Sequence, residues 1–180
     1  MSALSVPATI HDAPAASQAL LEAVNRQLGV VPNLFRMISN SPSALAGYLE
    51  LSGNLSKGLL PAALREAIAL AIAELNQCSY CLSAHTYLAA NLVKVSDTEI
   101  QANRRGLSSN AKTTAILDFA TTVALNRGQV PESSLNKLKS AGVSDAEIVE
   151  VVLHVALNIF TNYLNNVGKT TVDFPLVKPL

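Results

Sequence analysis

The spacing of apolar residues along the chain predicts a succession of amphipathic helices, and no segment alternates apolar and polar residues as a strand does. Prolines and glycines separate these segments, and the clearest signals are Ser41-Pro42, Pro61, Gly29, Gly106 and Gly142. Capping boxes at Ser96–Glu99 and Ser144–Glu147 mark two further helix starts. We therefore expect an all-α protein of eight or nine helices.

The helix that begins at Pro61 is apolar on nearly every side, which is typical of a buried helix. Glu66 lies within this apolar stretch, so we expect its carboxylate to be desolvated or to face a cleft. A second helix follows, which we expect to be capped by Asn76 and to run to about Leu92.

The longest helix, roughly residues 145–167, carries a polar stripe along one side. Its members recur at helical spacing and are Glu147, Glu150, His154, Asn158, Thr161 and Asn165. We interpret this stripe as a face exposed to solvent or to another subunit, and a wall of an active cleft is the alternative. His154 is interpreted as a structural residue.

Composition limits the classes of protein and of partner. The 180 residues fit a single domain over 1–180, with an irregular N-terminal arm over 1–12 and an extended tail over 170–180. Thirteen basic and thirteen acidic residues cancel, which indicates neither a nucleic-acid nor an anionic-membrane partner. No secretory signal or membrane-length apolar run is recognisable, so we expect a cytoplasmic protein. Two cysteines there point to redox or metal chemistry rather than to a structural disulfide.

Candidate chemistry is concentrated in the core helices of residues 61–92. Cys81 and His85 are one helical turn apart, so the imidazole can take the proton of the thiol. Cys78 lies within disulfide reach of Cys81, and a position near a helix N-terminus favours a thiolate. Glu66 can orient the imidazole or relay a proton.

A thiolate beside a second thiol suits two-electron redox chemistry, in which a hydroperoxide oxidises one sulfur and a disulfide with the other follows. A dithiol reductant would then restore both thiols. Structural alternatives stay open for each of these residues. The two cysteines can be small buried residues, His85 can be a core histidine, and Glu66 can form an ion pair with Arg36 or Arg65. A metal site completed by His154, Glu66 or water is a further alternative.

The motif resembles that of the carboxymuconolactone decarboxylase family, in its alkylhydroperoxidase AhpD-like, peroxidase-related branch. That motif is Glu, eleven residues, Cys-x-x-Cys, three residues and His, and this chain matches it at Glu66, Cys78, Cys81 and His85. The segments 29–34 and 171–175 also look like this branch, and the resemblance covers about residues 25–175. It implies an AhpD-like helical bundle with Cys-x-x-Cys at the N-terminus of a core helix.

The resemblance implies a homo-oligomer, which we expect to be a trimer or hexamer, that reduces hydrogen or alkyl hydroperoxides. We expect no bound cofactor or metal. Cys81 would be the peroxidatic sulfur, Cys78 the resolving one, and Glu66 with His85 the proton relay. The implied electron donor is a dithiol of protein or lipoyl type. Tyr80 stands where some AhpD enzymes have a second histidine, which bears on peroxidase efficiency and on the native reductant.

Two rival functions remain. One is a decarboxylase-type member of the same superfamily that acts on a lactone, although that branch usually lacks the dithiol. The other is a redox-sensing interaction protein, in which oxidation of Cys78 and Cys81 changes the assembly.

Overall fold

Nine α-helices build the computed structural model, which describes residues 2–180 and contains no β-strand within that range. In chain order they are α1 (Ala15–Leu28), α2 (Asn33–Ile38), α3 (Pro42–Leu55), α4 (Ala62–Leu75), α5 (Ser79–Leu88), α6 (Asp97–Arg104), α7 (Ala111–Leu125), α8 (Glu132–Ser140) and α9 (Asp145–Gly168). A 3₁₀ turn (Ile10–Asp12) precedes α1, and a π-helical turn (Ala89–Val93) extends α5. The prediction of an all-α fold with eight or nine helices is confirmed.

Local capping signals place helix starts where the sequence predicts them. At Ser144 the full capping box forms, because the Glu147 carboxylate accepts a hydrogen bond from the Ser144 N–H at 2.7 Å. The box predicted at Ser96 is only half formed. Ser96 accepts from the N–H of Glu99, but the Glu99 carboxylate binds the loop after α6, where it accepts from the Ser109 N–H at 3.1 Å.

The central helix α4 is buried as its sequence predicts, since every residue from Ala67 to Ala73 is buried. One side of α4, including Leu70, packs into a core formed with α1, α2, α3, α5 and α6. The opposite side, including Ile68, packs into a second core formed with α7, α8 and α9. The helix therefore joins the two cores, and it carries Glu66 close to its N-terminus.

The polar stripe of α9 faces inward, so the interpretation of this stripe as an exposed face is wrong. His154, Asn158, Thr161 and Asn165 are all buried, and apolar residues such as Val167 are exposed. The reason is that α9 packs against α4 and α5, where its amides bind polar groups of those helices. The alternative reading, a wall of a cleft, holds for His154, Asn158 and Thr161, which line a cavity.

By length and composition α9 is also the one helix within residues 2–180 that could cross a membrane. Its inward face binds polar groups of neighbouring helices, as expected of a core helix in a helical bundle. The protein therefore gives no clear sign of being a membrane protein, and its cytoplasmic location stays a prediction.

Both terminal segments pack on the helices. The backbone N–H of Ala3 in the arm donates to the carbonyl oxygen of Gly168 at 2.6 Å, and Met1 lies outside the described residues. In the tail, the Val177 N–H donates to the Ser83 hydroxyl of α5 at 2.8 Å. The tail therefore lies along the helix that carries the cysteines.

Candidate active site

The two cysteines lie at the start of α5, and the cap predicted at Asn76 is wrong. Asn76 ends α4, and Cys78 is the N-cap of α5. Gln77 has a φ of 50°, so the chain passes through the left-handed region between the two helices. Cys78 Sγ accepts a hydrogen bond from the Cys81 N–H at 3.3 Å, which is the role of a serine or asparagine side chain at most helix starts.

The two thiols lie in direct contact but in different environments. Cys78 Sγ donates to Cys81 Sγ at 2.8 Å, and the Asn165 amide donates to the same Cys81 sulfur at 3.3 Å. The hydrogen bond from Cys78, helped by the positive charge of His85 and by Asn165, lowers the pKa of Cys81 to about 7 despite its burial. The same contact raises the pKa of Cys78, so the pair favours a single thiolate, on Cys81.

Glu66 pairs with His85 across the interface of α4 and α5. The Glu66 carboxylate lies 2.8 Å from His85 Nδ1, and both side chains are mostly buried. Burial opposes the charged imidazole, but the Glu66 carboxylate outweighs it and raises the pKa of His85. The alternative ion pairs are not formed, because the guanidinium groups of Arg36 and Arg65 bind backbone carbonyl groups instead.

Tyr80 precedes Cys81 on α5, lines the same cavity as that sulfur, and also holds neighbouring segments together. Its phenol oxygen accepts a hydrogen bond from the Leu34 N–H at 3.1 Å, and its ring packs edge-on against Phe174 of the tail. Burial raises the pKa of Tyr80, so the phenol stays neutral. The residue joins α5 to the start of α2.

A cavity of about 240 Å³ lies beside the dithiol. Cys81, His85 and Glu66 line it, whereas Cys78 does not. Cys78 has no exposed surface, so Cys81 is the sulfur that a small molecule in the cavity would meet. The structure thus brings all four predicted residues together and gives the two sulfurs different access.

Sequence reasoning missed Asn165 and Tyr48. Asn165 was assigned only to the polar stripe, although its amide binds the Cys81 sulfur from 84 positions further along the chain. Tyr48 of α3 lines the cavity, and burial together with the charges of Cys81 and Glu66 raises its pKa to about 12. The helical spacing of the stripe could have indicated Asn165, but no local pattern distinguishes Tyr48.

The metal-site alternative finds no support in the geometry. No group of three or more His, Cys, Asp or Glu side chains in the described part of the chain is placed to hold an ion. His154, proposed as a fourth ligand, lines the cavity from α9, and burial lowers its pKa.

Comparison with known proteins identifies relatives of this fold. Residues 42–121 match the model of the carboxymuconolactone decarboxylase family, and this range contains the whole Glu, Cys-x-x-Cys and His motif. No match is found among curated proteins.

Solved structures share the fold over nearly the whole chain. An uncharacterized peroxidase-related protein with an alkylhydroperoxidase AhpD core from Ralstonia eutropha JMP134 is 22% identical, with a TM-score of 0.85, over 96% of this chain and 92% of that one. An uncharacterized peroxidase-related protein from Silicibacter sp. TM1040 is 23% identical, with a TM-score of 0.82, and the match covers 94% of this chain and 91% of that one. The debrominase Bmp8 is 20% identical, with a TM-score of 0.77, and the match covers 95% of this chain and 92% of that one. At these identities the similarity establishes the AhpD-like fold.

Proposed function

We propose that this chain, which belongs to the carboxymuconolactone decarboxylase family, is a thiol-dependent peroxidase that reduces hydrogen or alkyl hydroperoxides. The observation that supports the proposal is that the two sulfurs differ in access to the cavity and in pKa. Cys81 lines the cavity with a pKa lowered to about 7, and Cys78 lies behind it with a raised pKa. An attacking thiolate and a protonated resolving thiol are what a dithiol peroxidase requires.

In the first step the Cys81 thiolate attacks the outer oxygen of the hydroperoxide. The S–O bond forms as the O–O bond breaks, so sulfur is oxidised to the sulfenic acid and the peroxide is reduced to an alkoxide. His85, whose pKa is raised beside Glu66, supplies the proton that converts the alkoxide to the alcohol. The Glu66 carboxylate stabilises the imidazolium before the transfer and keeps the ring oriented afterwards.

In the second step Cys78 attacks the sulfur of the sulfenic acid. Its proton leaves with the hydroxide as water, and the S–S bond forms between sulfurs that already lie 2.8 Å apart. The short approach favours the internal disulfide over further oxidation of Cys81.

A dithiol donor of protein or lipoyl type then completes the cycle. One donor thiolate attacks Cys81, the sulfur on the cavity wall, and Cys78 leaves and takes a proton. The second donor thiol displaces Cys81, so the donor ends as a disulfide and both protein thiols return.

The test is to expose fully reduced protein to a small excess of cumene hydroperoxide or hydrogen peroxide and to follow free thiols and intact mass. Wild type should lose both thiols quickly to an internal disulfide, and Cys81→Ser should lose this reactivity. Cys78→Ser should instead stop with one added oxygen on Cys81, trapped by dimedone.

Three outcomes would count against the proposal. Oxidation no faster than that of free cysteine would exclude a peroxidase. Fast oxidation without turnover when dithiothreitol or dihydrolipoamide is supplied would favour the redox-sensing alternative, especially if the oligomer size changed with it. Activity on a lactone that survives in Cys81→Ser would favour the decarboxylase alternative.

A second candidate is the reductive removal of a halogen, because a debrominase shares the fold over 95% of this chain. Thiolate attack on bromine would give a sulfenyl bromide and a carbanion that takes a proton from His85. Cys78 would then displace bromide and form the same disulfide. Release of bromide from a bromopyrrole by reduced protein, without reaction towards hydroperoxides, would select this candidate.

We also propose that the chain assembles with copies of itself through the apolar stripe of α9, defined as Val149, Val152, Leu153, Ala156, Phe160, Tyr163 and Val167. All seven are exposed and recur at helical spacing, and none is charged. A second copy of this stripe would bury apolar surface without burying a charge. Phe160 packs on Tyr48 with ring centroids 6.1 Å apart, so the stripe adjoins the cavity wall.

Light scattering coupled to gel filtration tests this assembly. Val152→Asp should shift wild-type oligomers towards the monomer, because it places a charge in the middle of the stripe. Val30→Asp is the matched control, since Val30 is exposed but lies outside α9. A wild-type monomer, or equal effects of the two substitutions, would contradict the assembly through α9.

A further inference from the structure

Two polar groups on the cavity wall take no part in the chemistry described above. The first is His154 of α9, which is 5% exposed and whose Nε2 atom has no hydrogen-bond partner among residues 2–180. An unpaired polar atom in a buried position is destabilising unless a ligand or water completes it. Burial, together with the nearby charge of Arg65, lowers the pKa of His154, so the ring is neutral.

The second group is the guanidinium of Arg65, at the start of α4. Its Nη1 atom donates to the carbonyl oxygen of Leu60 at 2.6 Å, which fixes the side chain at the cavity edge. Within the described chain it forms no ion pair with a carboxylate. Arginine presents several N–H groups in a planar fork, so donors remain for a ligand.

The two carboxylates of this region are already bound to other groups. Glu66 is paired with His85, and Glu150 accepts hydrogen bonds from the backbone N–H groups of Leu59 and Leu60. Neither carboxylate therefore forms an ion pair with Arg65 or a hydrogen bond with the His154 ring. Both groups are left to bind an acceptor from outside the chain.

We propose that Arg65 and His154 bind the carboxylate of an organic hydroperoxide whose O–O bond lies at Cys81. This inference rests on the proposed peroxidase function and names its substrate class. Apolar side chains, including Leu34 and Leu157, line the cavity alongside these polar groups and suit a hydrocarbon body. The volume of about 240 Å³ is below the usual range for drug-sized ligands, so this body is a single ring or a short chain.

The kinetic test compares cumene hydroperoxide with its para-carboxy derivative, which differ by one carboxylate. The ratio of their kcat/KM values in wild type should favour the carboxylate by about tenfold or more, the usual effect of a hydrogen bond to a charged group. Arg65→Gln and His154→Leu should each bring this ratio close to one. A loss of fold or of Cys81 reactivity would lower both rates and leave the ratio unchanged.

Matched control variants keep the comparison specific. His11→Leu and Arg105→Gln remove the same groups from exposed positions outside the cavity and should keep the wild-type ratio. A wild-type ratio near one, or an equal fall of the ratio in the control variants, would overturn the carboxylate subsite.

A binding measurement separates the subsite from the peroxidase chemistry. Calorimetry on reduced wild type should detect para-isopropylbenzoate and only much weaker binding of para-isopropylbenzamide, and Arg65→Gln should abolish the difference. If neither hydroperoxide is reduced but this binding pattern appears, the subsite stands and the peroxidase function fails. If hydroperoxides are reduced but benzoate and benzamide bind equally, the subsite is wrong and the peroxidase function stands.

Discussion

The pKa of Cys81 offers the sharpest test of how this site works. The hydrogen bond from Cys78 is the largest cause of its lowered pKa, and the charge of His85 is a smaller one. Cys78→Ala removes the donor, and Cys78→Ser keeps a hydroxyl donor at the same helix cap. His85→Ala removes the positive charge together with the partner of the Glu66 carboxylate. We expect the pKa of Cys81 to rise most in Cys78→Ala and less in the other two variants.

The size of the effect follows from the change from the ordinary value of 9.0 to about 7. A two-unit shift corresponds to about 3 kcal/mol, and it raises the thiolate fraction at pH 7 from about 1% to about half. A thiolate of lower pKa is also a weaker nucleophile, which reduces this roughly fiftyfold gain to about sixfold in rate. We expect Cys78→Ala to raise the pKa of Cys81 by about one unit or more.

Because the rate at a single pH changes so little, the assay must give the midpoint of a pH titration. Iodoacetamide alkylation, followed by intact mass between mildly acidic and alkaline pH, gives the midpoint for each variant. The raised pKa of Cys78 keeps its thiol out of this range in wild type. A larger rise of the Cys81 midpoint in His85→Ala than in Cys78→Ala would refute the role of the Cys78 thiol as the main donor. No rise in either variant would refute the claim that these two residues lower the pKa of Cys81.

Three further predictions concern residues around the site and the fold. Asn165→Asp should raise the pKa of Cys81, measured by the same titration, because a carboxylate replaces the amide that donates at 3.3 Å; an unchanged midpoint would contradict this. Tyr80→Phe should lower the free energy of unfolding in urea by about 1–2 kcal/mol, because the buried Leu34 N–H loses its acceptor, and an unaltered stability would show that water replaces the phenol. Glu147→Ala should lower the free energy of unfolding by about 1 kcal/mol at neutral pH, because the Ser144 N–H at the helix cap loses its acceptor. Backbone N–H bonding at that cap lowers the pKa of Glu147 from 4.5 to about 2, so its contribution is present above pH 4.5 and should vanish as the pH falls through 2.

Much of the active site could be predicted from the sequence because its parts lie close together in the chain. Cys78, Cys81 and His85 lie on one short helix segment, and Glu66 precedes them on the adjacent helix. Helical periodicity places Cys81 and His85, four residues apart, on one face of α5. The pairing of Glu66 with His85 was one of several readings of the sequence, and the structure selects it.

The N-cap of α5 could not be predicted from the sequence, because it depends on the backbone conformation of one residue. Asn76 has the side chain of a good N-cap, but the left-handed conformation of Gln77 moves the cap to Cys78. Nothing in the local sequence requires a glutamine to adopt φ of 50°, so packing of α4 against α5 decides it.

The sequence by itself determined the helices, the buried character of α4 and the grouping of the redox motif, because these depend on residues within a few turns of one another. Only the tertiary structure decided the orientation of α9. A polar stripe at helical spacing shows that one face differs from the other, but it does not show whether that face meets water or a cavity. Here the contacts with α4 and α5 bury the stripe, bring Asn165 to the Cys81 sulfur, and leave the apolar face of α9 exposed.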